Sequence, residues 1–143
     1  MKASETGYIV VDASVWVARL VPQDVFHSTV RDWMETQRLA GQVFISPTLL
    51  LPEVAGAISR RAGDTRLARR TINTLIDLPG LRLVALDQPL IVEAAQLSAD
   101  LGLRGADSVY VAAAIRLRLP LVTLDHDQKE RARSVIVVQE VAE

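Results

Sequence analysis

Five short runs rich in Val, Ile and Leu recur along the chain, and longer stretches with helical periodicity separate most of them. A continuous apolar run, unlike an alternating one, is typical of a strand that other elements cover on both faces. Strands that alternate with helices in this way predict an α/β domain with a mainly parallel sheet. The predicted strands span residues 8–11, 43–45, 81–86, 121–124 and 135–138.

The helical stretches carry start signals that can be read from single residues. An aspartate that can cap the first turn precedes three of them, and Ser46-Pro47 has the form of a helix start. Pro52 predicts a kink in that helix or a later start for it. The predicted helices span residues 24–39, 46–62, 64–78, 87–102 and 107–118.

Composition narrows the class of protein further. The 143 residues are 50% hydrophobic, which excludes a disordered chain and suits one domain, predicted to span residues 1–143. The chain has no cysteine, so disulfides and Cys-ligated zinc or iron–sulfur sites are excluded. No uncharged apolar run approaches the roughly 20 residues of a membrane span, and residues 1–8 do not resemble a signal peptide. We therefore expect a soluble, cytoplasmic protein.

Two aspartates follow predicted strands directly. Asp12 ends the first strand, and Asp125 follows the fourth, with Thr123 on the same side if the strand continues. Ligands of parallel α/β sheets bind beyond the carboxyl ends of the strands, where the strand order reverses. Capping of the next helix is the structural alternative for Asp12. The Asp-x-Asp pair of haloacid-dehalogenase phosphatases is excluded, because Ser14 occupies its second position.

Two further carboxylates lie on apolar helical segments. The neighbours of Glu53 one turn away on either side are apolar or small, and Asp107 begins an Ala-rich helix. An unpaired carboxylate in apolar surroundings costs several kcal/mol. A metal or catalytic role for Glu53 is therefore favoured over a buried ion pair, and helix capping is the alternative for Asp107.

These acids predict a metal site. Four clustered carboxylates without a cation repel one another and shift their protonation. In a chain with no Cys and only two His, hard oxygen ligands select Mg²⁺ or Mn²⁺ over zinc. A divalent cation in such a site can activate water and stabilise the charge that develops on a phosphate.

The charge balance favours an anionic substrate. The formal net charge is −1, but without the four candidate ligands 13 acidic residues remain against 16 basic ones, of which 14 are Arg. Arginines, whose planar fork suits phosphate, concentrate around one predicted helix–helix turn. This group is either a solvated helix surface or a contact for phosphate groups. It contains Arg60, Arg61, Arg66, Arg69 and Arg70.

Four short segments, each with one of the candidate acids, follow one another along the chain. They are residues 10–17 (VVDASVWV), 46–55 (SPTLLLPEVA), 106–114 (ADSVYVAAA) and 121–125 (LVTLD). Each segment alone is weakly specific, but their order, spacing and the overall length agree over essentially the whole chain. Together they resemble the PIN domain family, specifically the VapC type of toxin ribonuclease from bacterial toxin–antitoxin pairs.

This resemblance implies a three-layer α/β/α sandwich around a parallel sheet. It implies an endoribonuclease that cleaves RNA phosphodiester bonds with metal-activated water and leaves 5′-phosphate and 3′-hydroxyl ends. The cofactor would be Mg²⁺, with Mn²⁺ as a substitute. The acids that would hold it and carry catalysis are Asp12, Glu53, Asp107 and Asp125.

The resemblance also implies supporting residues and partners. Ser14 and Thr123 would position the carboxylates, and Asp127 would be either another supporting acid or a solvated residue. A homodimer is implied, and so is a cognate antitoxin whose carboxy-terminal segment fills the groove and offers an arginine to the acids. The residues expected to contact the RNA backbone are Arg60, Arg61 and Arg66.

Other interpretations stay open on the residues alone. One is an RNA-processing nuclease of the same fold outside a toxin system, and another is a catalytically silent module whose acids serve assembly. Retention of all four acids and of Thr123 favours an enzyme. A phosphoacceptor receiver domain has Lys129 in a suitable half of the chain, but it needs a second acid paired with Asp12, and none exists.

Overall fold

Five parallel strands form one sheet in the computed structural model, which describes residues 7–141. Their order across the sheet is the third, second, first, fourth and fifth strand of the chain, and every neighbouring pair is parallel. The predicted α/β class with a mainly parallel sheet is confirmed. The strands are β1 (Tyr8–Val11), β2 (Val43–Pro47), β3 (Leu81–Val84), β4 (Leu121–Val122) and β5 (Val138–Gln139).

Seven helices of the described chain connect these strands. Two helices lie in each of the first three connections, and one joins β4 to β5. Right-handed crossovers place the first four helices on one face of the sheet and the last three on the other, which gives a three-layer α/β/α sandwich. The helices are α1 (Ala13–Leu20), α2 (His27–Leu39), α3 (Leu50–Ala62), α4 (Thr65–Ile76), α5 (Gln88–Leu101), α6 (Gly105–Leu117) and α7 (His126–Ala132).

The direction of the chain across the sheet reverses between β1 and β4. The first three strands add in one direction, whereas β4 enters on the other side of β1. The carboxyl ends of β1 and β4 therefore border a crevice of the kind in which open α/β sheets bind ligands. Val11 pairs with Val122, so the next residues, Asp12 and Thr123, emerge side by side at this edge.

Helix α6 packs across the middle strands of the sheet. Residues 108–114 are all buried, and the helix packs against β1, β2 and β4. Its small alanines allow this close approach, and the strand residues below it, such as Val10 and Leu121, are completely buried. Within residues 7–141, no helix has the length and apolar composition that a membrane crossing needs.

Several predicted boundaries are wrong for a physical reason. Ser46 and Pro47 close β2 instead of opening a helix. Helix α3 begins at Leu50, with Pro52 in its first turn, where a missing N–H costs no helical hydrogen bond. The later start agrees with the prediction from Pro52. Helices α1 and α7, of eight and seven residues, are too short for periodicity to indicate them.

Ser46 closes the end of β2 with two side-chain hydrogen bonds. Its Oγ donates to the backbone oxygen of Val11 at 2.5 Å and accepts from Trp16 Nε1 at 3.2 Å. Trp16 in turn packs edge-on against Phe44, with 5.8 Å between ring centroids. The hydroxyl therefore ties β2 to the end of β1 and to α1, immediately below the edge where Asp12 lies.

We expect Ser46→Ala to lower the free energy of unfolding by about 1–3 kcal/mol, because it leaves the buried Trp16 N–H without its acceptor. Urea denaturation followed by tryptophan fluorescence measures this loss. Ser98→Ala is the matched control, since Ser98 Oγ is buried without a hydrogen-bond partner in the described structure. The control is expected to be neutral or slightly stabilising. Equal effects of the two substitutions would contradict this role of Ser46.

Candidate active site

Asp12 is the most deeply buried carboxylate of the candidate site. It is 5% exposed, and its Oδ2 accepts hydrogen bonds from Ser14 N and from Thr123 Oγ1, both at 3.0 Å. The first bond makes it the N-cap of α1, so the capping alternative describes part of its role. Burial raises its pKa, although the hydrogen bonds from Ser14 and Thr123 act in the opposite direction.

Thr123 and Ser14 form a small hydroxyl network around Asp12. The two oxygens lie 3.3 Å apart, Ser14 Oγ accepts from Leu124 N at 3.0 Å, and Thr123 Oγ1 accepts from Asp125 N at 3.1 Å. Gln128 is completely buried, and its Oε1 lies 3.0 Å from Thr123 Oγ1 as a second acceptor, beside Asp12, for the one proton of that hydroxyl. The network fixes Asp12 and the chain after β4 relative to each other.

Glu53 enters the site from the first turn of α3. Its Oε1 accepts a hydrogen bond of 2.7 Å from the hydroxyl of Tyr110, a residue of α6 that is completely buried. Burial raises the pKa of Glu53, the Tyr110 bond lowers it, and the charges of Asp12 and Asp107 raise it again. Burial beside Glu53 also raises the pKa of Tyr110, which keeps its phenol a hydrogen-bond donor.

Asp107 and Asp125 share one arginine. Arg104 Nε donates to Asp107 Oδ2 at 3.1 Å, and Arg104 Nη2 pairs closely with Asp125 Oδ2. Asp125 also caps α7, since its Oδ1 accepts from Gln128 N at 3.2 Å. Burial and the charge of Asp12 raise the pKa of Asp107, whereas Arg104 lowers it. Asp107 lies in the first turn of α6 without being its cap.

The donor set matches a hard divalent cation in its chemistry. Asp12, Glu53 and Asp107 each keep one carboxylate oxygen to which no described residue donates a hydrogen bond. Carboxylate oxygens are the ligands that Mg²⁺ and Mn²⁺ prefer. Within residues 7–141, however, no three His, Asp or Glu side chains are arranged to hold a metal ion as they stand. The residues therefore fit the ion, and holding it requires movement of side chains.

Two of the predicted arginines differ in their surroundings. Arg61 Nη1 pairs with Asp24 Oδ2 at 3.0 Å. Arg60 has no ion-pair partner in the described part of the chain, and its Nη1 lies 3.1 Å from the position that a Cβ on Gly56 would take. The Arg60 side chain therefore runs back along α3 toward its amino end and covers Gly56. Glu53 lies one turn before Gly56 on the same side of the helix.

The other predicted site residues lie at the solvent. Arg66 is exposed at the start of α4, with no ion-pair partner among residues 7–141. Asp127 is exposed on the first turn of α7 and pairs with Arg131 at 3.0 Å, an arrangement that matches the solvated alternative. His126 beside it is exposed as well.

Three residues of the site escape sequence reasoning. Tyr110 and Gln128 are buried and polar, and Arg104 is exposed but bound to two of the acids. The available signal is helical spacing, because Tyr110 follows Asp107 by three positions and Arg104 precedes it by three. Gln128 follows Asp125 by the same step, which places it at the third position of a capped helix.

A model of the PIN domain family matches residues 9–134, which is most of the chain. The chain therefore belongs to the PIN domain family, whose members are nucleases. No curated protein sequence matches this chain.

Solved structures from three bacteria share the fold. VapC20 of Mycobacterium tuberculosis, a toxin that cleaves the sarcin–ricin loop, has a TM-score of 0.77 at 19% identity, over 92% of this chain and 98% of that one. VapBC2 of Rickettsia felis, bound to a DNA fragment from its promoter, has a TM-score of 0.71 at 12% identity, over 93% and 98%. A toxin–antitoxin complex from Klebsiella pneumoniae has a TM-score of 0.58 at 14% identity, over 85% and 89%.

We expect Tyr110→Phe to raise the pKa of Glu53 further in the metal-free protein, because the lost hydrogen bond favours the charged carboxylate. Carbon-13 NMR titration of the Glu53 carboxyl measures this change. The pKa of Glu53 is 4.5 in the unfolded chain and higher in the folded protein. Its contribution to stability is therefore present below pH 4.5 and is lost as the pH rises through the folded pKa. The variant therefore extends that pH window upward.

Tyr8→Phe is the control for this titration. Tyr8 lies on the exposed start of β1, where its ring meets Arg82, so its substitution should leave the Glu53 titration unchanged. An unshifted Glu53 in Tyr110→Phe would show that the phenol does not hold this carboxylate in solution.

Proposed function

We propose that the protein is a Mg²⁺- or Mn²⁺-dependent endoribonuclease, the toxin of a toxin–antitoxin pair. One observation carries the proposal: the fold of a nuclease family brings four carboxylates near enough for their charges to act on one another, and burial disfavours the charged form of three of them. A protein keeps such charges where a cation compensates them. These four acids are Asp12, Glu53, Asp107 and Asp125.

A divalent ion held by these four acids would supply positive charge for a developing phosphate charge and for activation of water. The reaction is hydrolysis: the oxygen of water bonds to phosphorus, the bond from phosphorus to the 3′ oxygen breaks, and that oxygen takes up a proton. The products carry 5′-phosphate and 3′-hydroxyl ends.

The chain itself contributes preorganisation. Thr123 and Ser14 N hold one oxygen of Asp12 by hydrogen bonds and leave its other oxygen without a donor among the described residues. Tyr110 holds one oxygen of Glu53 in the same way. Carboxylates that are held in place before the substrate arrives need little reorganisation during reaction. Thr123 and Tyr110 are therefore positioning residues.

Arginines of α3 and α4 would hold the RNA backbone. Arg60 lies along α3 on the side of Glu53, and Arg66 is exposed at the start of the next helix. Contacts of this kind fix the strand without reading its sequence. Arg61 is engaged with Asp24, so Arg60 is the stronger candidate of the two.

A protein partner is supported by a large apolar cleft on the face of α1, α2 and α4. Its volume is about 850 Å³, and its lining includes three arginines and two acids beside the apolar residues. We propose that a cognate antitoxin docks here and reaches the acids with an arginine. The apolar residues of the cleft are Trp16, Leu20, Met34, Phe44, Leu75 and Leu78.

A homodimer also belongs to the proposal, supported by exposed Ile91 and Val92 on α5.

Two alternatives share the fold. An RNA-processing nuclease outside a toxin system would have the same site and would lack the antitoxin. In a catalytically silent module the acids would serve assembly instead, and the buried hydrogen bonds that hold Asp12 and Glu53 favour the enzyme over it.

We expect Asp107→Asn to reduce cleavage of total cellular RNA at least ~100-fold, because the substitution removes one of the four charges that hold the ion. Wild-type protein should give discrete fragments with 5′-phosphate ends in Mg²⁺ or Mn²⁺, and none in EDTA. Gel electrophoresis with end-group analysis measures both results. Thermal unfolding confirms that the variant is folded.

Asp100→Asn is the matched control for charge removal. Asp100 is exposed on α5, so this variant should cleave like the wild type. Undiminished cleavage by Asp107→Asn would overturn the assignment of the acids. Cleavage that persists in EDTA would overturn metal dependence.

We expect Arg60→Gln to weaken binding of a single-stranded RNA and to lower the salt slope of log K by about 0.7, the value for one lost phosphate contact. Fluorescence anisotropy at several salt concentrations measures the slope. Arg118→Gln is the control, because Arg118 is also exposed and has no ion-pair partner within residues 7–141. Equal slopes for both variants would contradict a local contact by Arg60.

A further inference from the structure

Arg104 occupies oxygens of two proposed metal ligands from within the same chain. It donates to Asp107 Oδ2 at 3.1 Å and pairs with Asp125 Oδ2. We propose that Arg104 is an internal counter-ion that a divalent cation must displace from Asp125 and Asp107, so that this arginine sets the metal affinity of the site. This inference rests on the proposed metal-dependent function.

The oxygens of the four acids show where the displacement matters most. Asp12, Glu53 and Asp107 each retain one oxygen without a hydrogen-bond donor among the described residues. Asp125 differs, since Gln128 N holds its Oδ1 and Arg104 holds its Oδ2. The bond to Gln128 caps α7, so Oδ2 is the oxygen of Asp125 that a cation can take without uncapping that helix.

The guanidinium is free to leave on structural grounds. The Arg104 side chain is 67% exposed, and although the residue stands at the N-cap of α6, its side chain makes no capping hydrogen bond. Within residues 7–141, its side chain donates hydrogen bonds to these two acids alone. When the guanidinium moves away, no core residue is exposed and no helix loses a capping bond. The cost of metal binding is therefore the loss of the two ion pairs of Arg104.

Electrostatics gives the direction of the effect. A cation that binds the acids replaces the guanidinium as their partner and is repelled by it while it stays nearby. Exposed ion pairs are individually weak, so the loss of two of them corresponds to about a three- to tenfold change in affinity. Removal of Arg104 should accordingly tighten metal binding by that factor.

Isothermal titration calorimetry of the EDTA-treated, dialysed protein with MnCl₂ tests the proposal. We expect Arg104→Gln to bind Mn²⁺ about three- to tenfold more tightly than the wild type. Arg104→Lys should fall between them, because it keeps the charge and loses the planar fork that reaches both acids. Arg133→Gln is the control: it removes another exposed arginine, paired with Glu130, and should leave the affinity unchanged. Thermal unfolding establishes that each variant is folded.

The same titration in an Asp125→Asn background identifies the acid through which Arg104 acts. Asparagine preserves the N-cap of α7 and lacks the charge that pairs with Arg104. The gain from Arg104→Gln should shrink in this background, and an undiminished gain would overturn displacement at Asp125.

The remaining outcomes separate this inference from the proposed function. If the wild type binds Mn²⁺ and Arg104→Gln binds it equally or more weakly, the counter-ion role is overturned and the metal site stands. If Arg104→Gln alone binds Mn²⁺, the counter-ion role is supported in its strongest form. If neither protein binds Mn²⁺, the metal site falls and the inference falls with it.

Discussion

The pairing of β1 with β4 places Asp12 beside Thr123, and the rest of the site is arranged around that contact. Asp12 N donates to Val122 O at 2.9 Å, which continues the ladder one step beyond the strands. A carboxylate that is 5% exposed is costly when it stands alone. Thr123 offsets part of this cost, and Asp125 N and Gln128 hold Thr123 in place. The chain after β4 is therefore shaped by the charge at the end of β1.

In two of the acids, one carboxylate oxygen caps a helix and the other faces the candidate site. Asp12 caps α1 through Oδ2 and keeps Oδ1 without a hydrogen bond from the described chain. Asp125 caps α7 through Oδ1 and turns Oδ2 toward Arg104. The sequence offers helix capping and ligand binding as alternatives for Asp12, and in the structure the cap uses Oδ2 alone, so the two roles do not exclude each other. A substitution by Asn keeps the cap and removes the charge, which makes it the informative replacement at these positions.

The sequence predicts the parts of this molecule that local rules control. Continuous apolar runs indicate the parallel sheet, and aspartates at the ends of those runs indicate the edge at which the candidate site lies. Bonds between distant segments follow no such rule. Ser-Pro at residues 46–47 is typical of a helix start. The hydroxyl of Ser46 instead forms hydrogen bonds with Val11 and Trp16, and these bonds keep Ser46 in β2. Tertiary hydrogen bonds override the local preference there.

The buried polar groups are hidden for a related reason. Tyr110 belongs to an apolar, Ala-rich helix whose pattern indicates only core, and its partner Glu53 is 57 residues away in sequence. Arg104 meets Asp125 across 21 residues. Such pairs depend on how α3, α6 and α7 converge on one edge of the sheet. The order of the strands decides that convergence, and no single segment specifies it.

All four acids stand at the beginnings of helices, and this explains how the site tolerates its charge. Asp12 and Asp125 are the caps of α1 and α7, and Glu53 and Asp107 lie in the first turns of α3 and α6. The positive ends of helix dipoles stabilise nearby carboxylates by about 0.3–1 kcal/mol each at exposed sites. The protein thus supplies partial positive charge from four helices and a full charge from Arg104, which together offset part of the repulsion among the acids. The same positive charge makes a bound cation less favourable, because it opposes an ion that approaches the acids. The helix ends are built into the fold, whereas Arg104 is exposed and can move away, so the arginine is the part of this compensation that binding can remove.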